Sequence, residues 1–160
     1  MWDTFIGAGA ALAGVGLASS TQLLADRRAR AEQHRRQVAA LVGALLKAVL
    51  AYRELYWLRV AAMRSAEPET APDRAALYRA RSAVTEAKDD LALVTDDATL
   101  IDAAETAVWS AIELSDIALG PVTEGRFSEA VETELAAGRE RTRDTHTALR
   151  RAGAEYVHRI

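Results

Sequence analysis

The chain has 160 residues and a net charge of −3, with 20 basic and 23 acidic side chains. It contains no cysteine, which excludes disulfides, thiolate zinc sites, iron–sulfur clusters and cysteine nucleophiles. The net acidity excludes a globally basic nucleic-acid-binding protein, and the length fits one domain with a modest hydrophobic core.

The first predicted element is an uncharged run over residues 4–25, which is long enough for one helix to cross a bilayer. The only charged side chain before this run is that of Asp3, whereas several arginines follow it. The positive-inside rule therefore places the N-terminus outside and the rest of the chain in the cytoplasm. The strong preference for arginine over lysine and the many alanines are typical of a GC-rich bacterial genome. We therefore predict a membrane anchor over residues 1–25, in a bacterial cytoplasmic membrane.

Small residues recur at four-residue spacing on two faces of the predicted anchor. This spacing lets two helix backbones approach closely in lipid, so it favours self-association into a homo-oligomer. The alternative is an apolar helix buried between the subunits of a soluble or phage-type structural assembly. The residues predicted to form the packing faces are Gly7, Gly9, Ala11, Ala13, Gly14, Gly16 and Ala18.

Residues 26–37 carry charged or polar side chains nearly all round and are predicted to form a basic helical stalk. Arginines placed directly after an apolar run favour the headgroups of membrane lipids as their ligand. Nucleic acid is disfavoured, because no aromatic residues are interleaved for base stacking. The predicted lipid-headgroup residues are Arg27, Arg28, Arg30, Arg35 and Arg36.

The remaining residues, 38–160, are predicted to form a cytoplasmic helical bundle. The first helix extends without a proline to about Ser65, and a turn rich in proline separates it from a second helix. Asp96 or Asp97 is expected to cap a third helix that ends near Leu119, before Gly120-Pro121. A fourth helix is expected to start near residues 127–128. Its inward face has few large residues, so we expect it to be the most weakly packed.

Short connections between consecutive helices imply antiparallel neighbours, and no segment alternates apolar and polar residues as a strand does. The predicted fold is all-α, with an N-terminal transmembrane helix continuous with an up-down antiparallel four-helix bundle. Residues 86–116 within this bundle contain nine acidic side chains and one lysine. An anionic membrane surface would repel this region.

The sequence offers no pattern for catalysis or metal binding. Among His34, His146 and His158, only His158 follows a glutamate, Glu155, at the spacing of a di-iron bundle, and such a bundle needs this motif on two facing helices. No phosphate loop or nucleophile elbow occurs. Neighbouring acids such as Asp89 and Asp90 diverge by about 100° on a helix and fit capping or solubility. We expect a protein that is not an enzyme, with no cofactor, no metal and no small-molecule substrate.

An aromatic cluster on the first helix consists of Tyr52, Tyr56 and Trp57. Aromatic residues at this spacing serve either as core residues that line a groove or as a docking site for a protein partner. Both interpretations stay open from the sequence.

The layout as a whole resembles a known family. A Gly/Ala-rich span, an arginine-rich flank, an Ala-rich helical remainder and the segment Ala137 to Leu149 (AGRERTRDTHTAL) resemble the small Kil-type, spread-associated proteins of actinomycete conjugative plasmids. The resemblance implies an accessory role at the membrane in plasmid transfer or spread, and it assigns no functional residues. The leading hypothesis is a non-enzymatic scaffold at the membrane. A regulatory protein that binds nucleic acid through its arginines is a further alternative.

Overall fold

The computed structural model describes residues 3–159, with side chains described for Gln22 and residues 25–159. The described residues are helical apart from loops and an isolated bridge between Thr123 and Arg126, so the predicted all-α class is confirmed. A 3-10 turn at Glu113–Asp116 follows the third α-helix. The α-helices are α1 (Asp3–Arg64), α2 (Ala71–Ala92), α3 (Ala98–Ile112) and α4 (Glu129–His158).

The chain divides into two compact units, Met1–Gln37 and Val38–Ile160. Across the residues with described positions, no helix is both apolar and long enough to span a membrane. Within the predicted anchor at residues 4–25, the structure describes the side chains of Gln22 and Ala25 only. The span and its small-residue faces therefore remain predictions.

The core of the second unit begins with the apolar residues of α1. These follow three-four spacing and are all nearly inaccessible to solvent, as the heptad pattern of the sequence requires. Apolar residues of α2, α3 and α4 complete this cluster, and a second cluster lies around Tyr56 and Val60. The buried α1 residues of the first cluster are Val38, Val42, Leu45, Val49 and Tyr52.

Contacts between α1 and α4 show the relative direction of these two helices. The guanidinium of Arg53 on α1 donates to the carbonyl oxygen of Thr142 on α4 at 3.4 Å. Eleven residues further along α1, Arg64 pairs with Glu132 at 2.5 Å, ten residues earlier on α4. Since positions rise on one helix while they fall on the other, α1 and α4 are antiparallel.

Helix α4 is well packed, and the prediction that it is the weakest helix was wrong. Leu149 is fully buried and Thr142 is 1% exposed, whereas α2 buries only Val84 and Leu91. The reason lies in the small residues of α4. A Cβ built at Gly153 would lie 2.7 Å from the side chain of Val42, so the absence of a side chain is what allows this close approach of α4 to α1.

The helix starts follow local capping chemistry. Thr70 precedes α2 and forms a capping box with Asp73, whose carboxylate accepts from the Thr70 backbone N–H at 3.1 Å. Hydrogen bonds from Thr70 lower the pKa of Asp73. Asp97 caps α3 by accepting from the Leu100 backbone N–H at 2.9 Å, as one of the two predicted caps. Ser128 caps α4, which starts within a residue of the prediction.

Helix α3 is shorter than predicted, because the α-helix ends at Ile112 and not near Leu119. The backbone is extended at Ile117, with φ −64° and ψ 115°. Extended backbone places alternate residues on one side, so Ile117 and Leu119 both enter the second cluster with Phe127. Residues 117–127 therefore form a covering segment for that end of the core.

Candidate functional site

The predicted lipid-binding arginines lie on an exposed stretch of α1 within the first unit. Arg27, Arg28 and Arg30 are exposed, and the Arg30 side chain donates to the backbone oxygen of its own helix at Asp26. Arg35 and Arg36 both pair with Glu32, at 3.3 Å and 3.0 Å. The structure thus leaves the charge of the first three arginines facing solvent and offsets part of the charge of the last two.

The aromatic cluster is divided between the interior and the surface. Tyr52 and Tyr56 are each 1% exposed, so they are core residues of this fold, one of the two roles left open by the sequence. The Tyr56 hydroxyl has no hydrogen-bond partner among the described residues, and burial raises its pKa to about 12. Only Trp57 of the three lies partly at the surface, so only Trp57 is in a position to contact a partner.

Trp57 is held by two neighbours. Its ring packs edge-on against Tyr56, with centroids 5.5 Å apart and planes at 75°. The guanidinium of Arg139 on α4 lies over the Trp57 ring, 4.4 Å from its centroid, in a cation–π contact. The indole is therefore fixed in orientation at the boundary between α1 and α4.

A groove runs along this boundary, and we name it the α1–α4 groove. Its volume is about 600 Å³, and three arginines and one acidic residue contribute to its walls. Burial, followed by the nearby charge of Arg139, lowers the pKa of Arg53. The groove is lined by Arg53, Glu54, Trp57, Leu58, Arg139 and Arg143.

His146 and Arg150 continue the basic side of α4 beyond the groove. Burial, followed by the charges of Arg53 and Arg150, lowers the pKa of His146. The imidazole is therefore uncharged at neutral pH, and its Nδ1 has no hydrogen-bond partner among the described atoms. The positive potential at this boundary comes from arginine and not from histidine.

A second surface of opposite charge lies on α3, and we name it the acidic stripe. Asp102, Glu105, Trp109 and Glu113 follow helical spacing along one exposed face. Trp109 is 53% exposed. Helix α3 and the 3-10 turn after it contain no basic residue.

The chain is related to a known protein family. The family model of the KilB plasmid transfer protein matches residues 38–157, three quarters of the sequence. The chain belongs to the KilB plasmid transfer protein family. This confirms the predicted resemblance to Kil-type plasmid proteins and relates its role to plasmid transfer. No curated protein and no solved structure shows significant similarity to the chain.

The segment matched by the KilB family model coincides with the second compact unit, so it contains both the α1–α4 groove and the acidic stripe. Within the described residues, no group of three or more metal-ligating side chains comes together. The family description names plasmid transfer and no catalytic reaction. The α1–α4 groove and the acidic stripe are the candidate functional surfaces of this unit.

The sequence interpretation missed the arginines of the groove. Acids alternate with Arg139 and Arg143 along the chain, which conceals the face that these arginines share. The missed signal is the spacing of Arg139, Arg143, His146 and Arg150, which places all four on one side of α4. That side borders α1 next to Trp57.

Proposed function

We propose that this member of the KilB family is a non-enzymatic, self-associating scaffold anchored in the cytoplasmic membrane, accessory to plasmid transfer or spread. Family membership supports the connection to plasmid transfer. The uncharged run at residues 4–25 and the arginines after it support the membrane anchor. Small residues at four-residue spacing in the same run support self-association.

The observation that carries this proposal is the exposure of the basic segment directly after the apolar run. Residues 25–34 are exposed on all sides of a helix, so the charges of Arg27, Arg28 and Arg30 face solvent. Basic side chains next to an anionic lipid surface each gain about 1 kcal/mol. In this proposal, the arginines hold the second unit on the cytoplasmic side of the bilayer.

Fractionation of bacterial cells tests the anchor. The full-length protein is expected in the membrane pellet, to resist extraction by high salt or alkaline carbonate, and to dissolve in detergent. A variant lacking residues 2–25 is expected in the soluble fraction or to be released by salt alone. Recovery of the full-length protein in the soluble fraction would contradict the anchor, and large assemblies without detergent would favour a helix buried between subunits.

Self-association through the anchor is tested with a matched pair of substitutions. Gly14→Leu places a large side chain on the small-residue face and is expected to reduce the cross-linked oligomer of the full-length protein in membranes. Val15→Leu lies on another face of the same helix and is expected to leave the oligomer unchanged. Equal yields from both variants would show that this face does not mediate packing.

A further inference from the structure

The second unit has two exposed surfaces of opposite charge, and they have no residue in common. The α1–α4 groove combines three arginines with Trp57 and Leu58, and Leu58 is 66% exposed. The acidic stripe places the exposed Trp109 among three carboxylates. Each surface thus has an apolar centre and a charged border, the arrangement found at protein interfaces.

Charged side chains on a surface usually serve only to interact with solvent. The apolar residues at the centre of these two surfaces are not explained in this way. Large apolar side chains on a soluble surface usually occur singly, and tryptophan and arginine are the residues most enriched at energetic centres of interfaces. Trp109 is 53% exposed between Glu105 and Glu113, and Trp57 and Leu58 lie among the arginines of the groove. The two surfaces are therefore opposite in charge, and each contains a tryptophan.

We propose that the α1–α4 groove of one copy binds the acidic stripe of a second copy of this chain. Trp109 of the second copy lies against Trp57 and Leu58, and the carboxylates of the stripe pair with Arg53, Arg139 and Arg143 of the first. This interaction extends the proposed self-association from the anchor to the second unit, and it does not depend on the anchor.

The geometry makes this a heterologous contact. After one groove and one stripe have paired, each dimer keeps one unused groove and one unused stripe, so the contact continues into a ring or an open array. Such an array suits a scaffold, because membrane-bound copies would assemble laterally without a second protein. Opposite charges across the contact also raise the association rate at low ionic strength.

Nucleic acid fits the groove less well. Phosphate backbones carry no apolar group that matches Leu58, and the carboxylate of Glu54 lies among the three arginines. The whole chain is acidic, with a net charge of −3, so long-range attraction of a polyanion is weak. The acidic stripe supplies the carboxylates and the aromatic ring that the groove can accept.

Disulfide cross-linking tests the contact in the full-length protein, in detergent or vesicles. The chain has no cysteine, so single-cysteine variants report one position each. Leu58→Cys in the groove and Thr106→Cys beside Trp109 are expected to form a mixed disulfide when the two variants are combined under oxidation. The matched control replaces Thr106→Cys with Ser82→Cys, an exposed position on α2 that is expected to give at least about tenfold less mixed product.

Charge exchange supplies the second test. Glu105→Arg in the stripe and Arg143→Glu in the groove are each expected to weaken association of the second unit at least about tenfold. A mixture of the two variants contains two complementary contacts, the charge-exchanged groove with the charge-exchanged stripe and the unaltered groove with the unaltered stripe, so association is expected to recover. Trp109→Ala is expected to weaken association to a similar degree while circular dichroism stays unchanged, since its side chain is half exposed.

The outcomes separate this inference from the proposed function. If the mixed disulfide equals its control and Trp109→Ala changes nothing, the groove–stripe contact is overturned, even where the full-length protein still pellets with membranes. If the contact forms but the full-length protein is soluble, the anchor fails and the contact stands. Salt-sensitive retention of DNA that requires Arg143 but not Trp109 would overturn the contact in favour of a nucleic-acid site.

Discussion

Gly153 of α4 lies where the structure leaves no room for a side chain. A Cβ atom there would lie 2.7 Å from Cγ1 of Val42, which is a branched side chain with a restricted χ1 angle and cannot move aside easily. We predict that Gly153→Ala lowers the free energy of unfolding by about 1–3 kcal/mol through overpacking, although alanine is the better helix former. Urea denaturation of both proteins measures the difference.

Gly43 provides the matched control for this prediction. It also lies in a helix, but a Cβ at this position meets no atom within 4 Å. Gly43→Ala is expected to raise the free energy of unfolding by up to about 1 kcal/mol, because alanine reduces the backbone entropy of the unfolded chain. If both variants shift stability in the same direction, close packing of α4 on α1 does not limit stability.

His146 predicts a specific pH dependence. Burial and the charges of Arg53 and Arg150 lower its folded-state pKa below the unfolded value of about 6.5. The unfolded chain therefore binds a proton more readily, so the contribution of His146 to stability is complete above about pH 6.5 and decreases as the pH falls from there toward the folded-state pKa. Stability is expected to fall less steeply over this window in His146→Gln than in the wild type.

The quantity compared is the difference in the free energy of unfolding between His146→Gln and the wild type at each pH, because both proteins have the same carboxylates. His158→Gln serves as the control, since that side chain is exposed near the end of α4. A pH profile of His146→Gln that parallels the wild type would show that His146 is not protonated on unfolding.

At the scale of the helices, the sequence predicted which helices exist and how many there are. It predicted their lengths and how tightly they pack less well. Proline and glycine positions marked the breaks, and Asp97 and Ser128 cap helices close to where the pattern predicted. The end of α3 was misplaced because the apolar spacing of residues 112–119 continues through a change to extended backbone. Counting large apolar residues also underestimated the packing of α4. Gly138 and Gly153 have no side chain, and this lets α4 approach its neighbours closely.

Helix α2 buries only Val84 and Leu91, so its N-terminal cap matters more to its stability than the caps of better packed helices. We predict that Thr70→Ala lowers the free energy of unfolding by about 0.5–2 kcal/mol, because the capping box with Asp73 is lost. Hydrogen exchange of α2 amides is expected to accelerate.

Thr85→Ala on the same helix is the control. Its hydroxyl bonds back to the Arg81 backbone oxygen in the exposed helix interior, where alanine is the better residue. It is expected to leave stability unchanged or slightly higher. Equal losses from both threonines would mean that removal of any hydroxyl, and not loss of the cap, causes the effect.

At the scale of the whole molecule, the sequence predicted which regions carry charge but not which charges meet. The basic residues before Val38 and the acidic residues 86–116 are visible as runs in the chain. The α1–α4 groove could not be seen this way, because Arg53 and Arg139 are 86 positions apart and meet only through the antiparallel pairing of the first and last helices. Trp57 drew attention as an aromatic residue, but its stacking under Arg139 needed the fold.

The exposed arginines before the bundle make a prediction about lipid binding. In a variant lacking residues 2–25, replacing Arg27, Arg28 and Arg30 with glutamine is expected to weaken binding to anionic vesicles on the order of 100-fold. Replacing Arg35 and Arg36 is expected to cost less, because both already pair with Glu32. Vesicle flotation with anionic and with neutral lipid measures both variants.

Equal losses from the two sets would contradict a role for the exposed group, and undiminished binding to neutral vesicles would show that charge is not the cause of binding at all. The result is independent of whether the apolar run inserts, since both variants lack it.

The pairing of α1 with α4 also has a consequence for biosynthesis. Val42 leaves the ribosome long before Gly153, and at about 5–20 residues per second the interval lasts several seconds. During this time the apolar side of α1 lacks the helix that finally covers it, while residues 4–25 are already available to a translocation channel. If residues 4–25 anchor the chain as proposed, the order of translation lets membrane insertion precede bundle closure. A nascent chain that stalls before α4 leaves the apolar side of α1 uncovered and prone to aggregate.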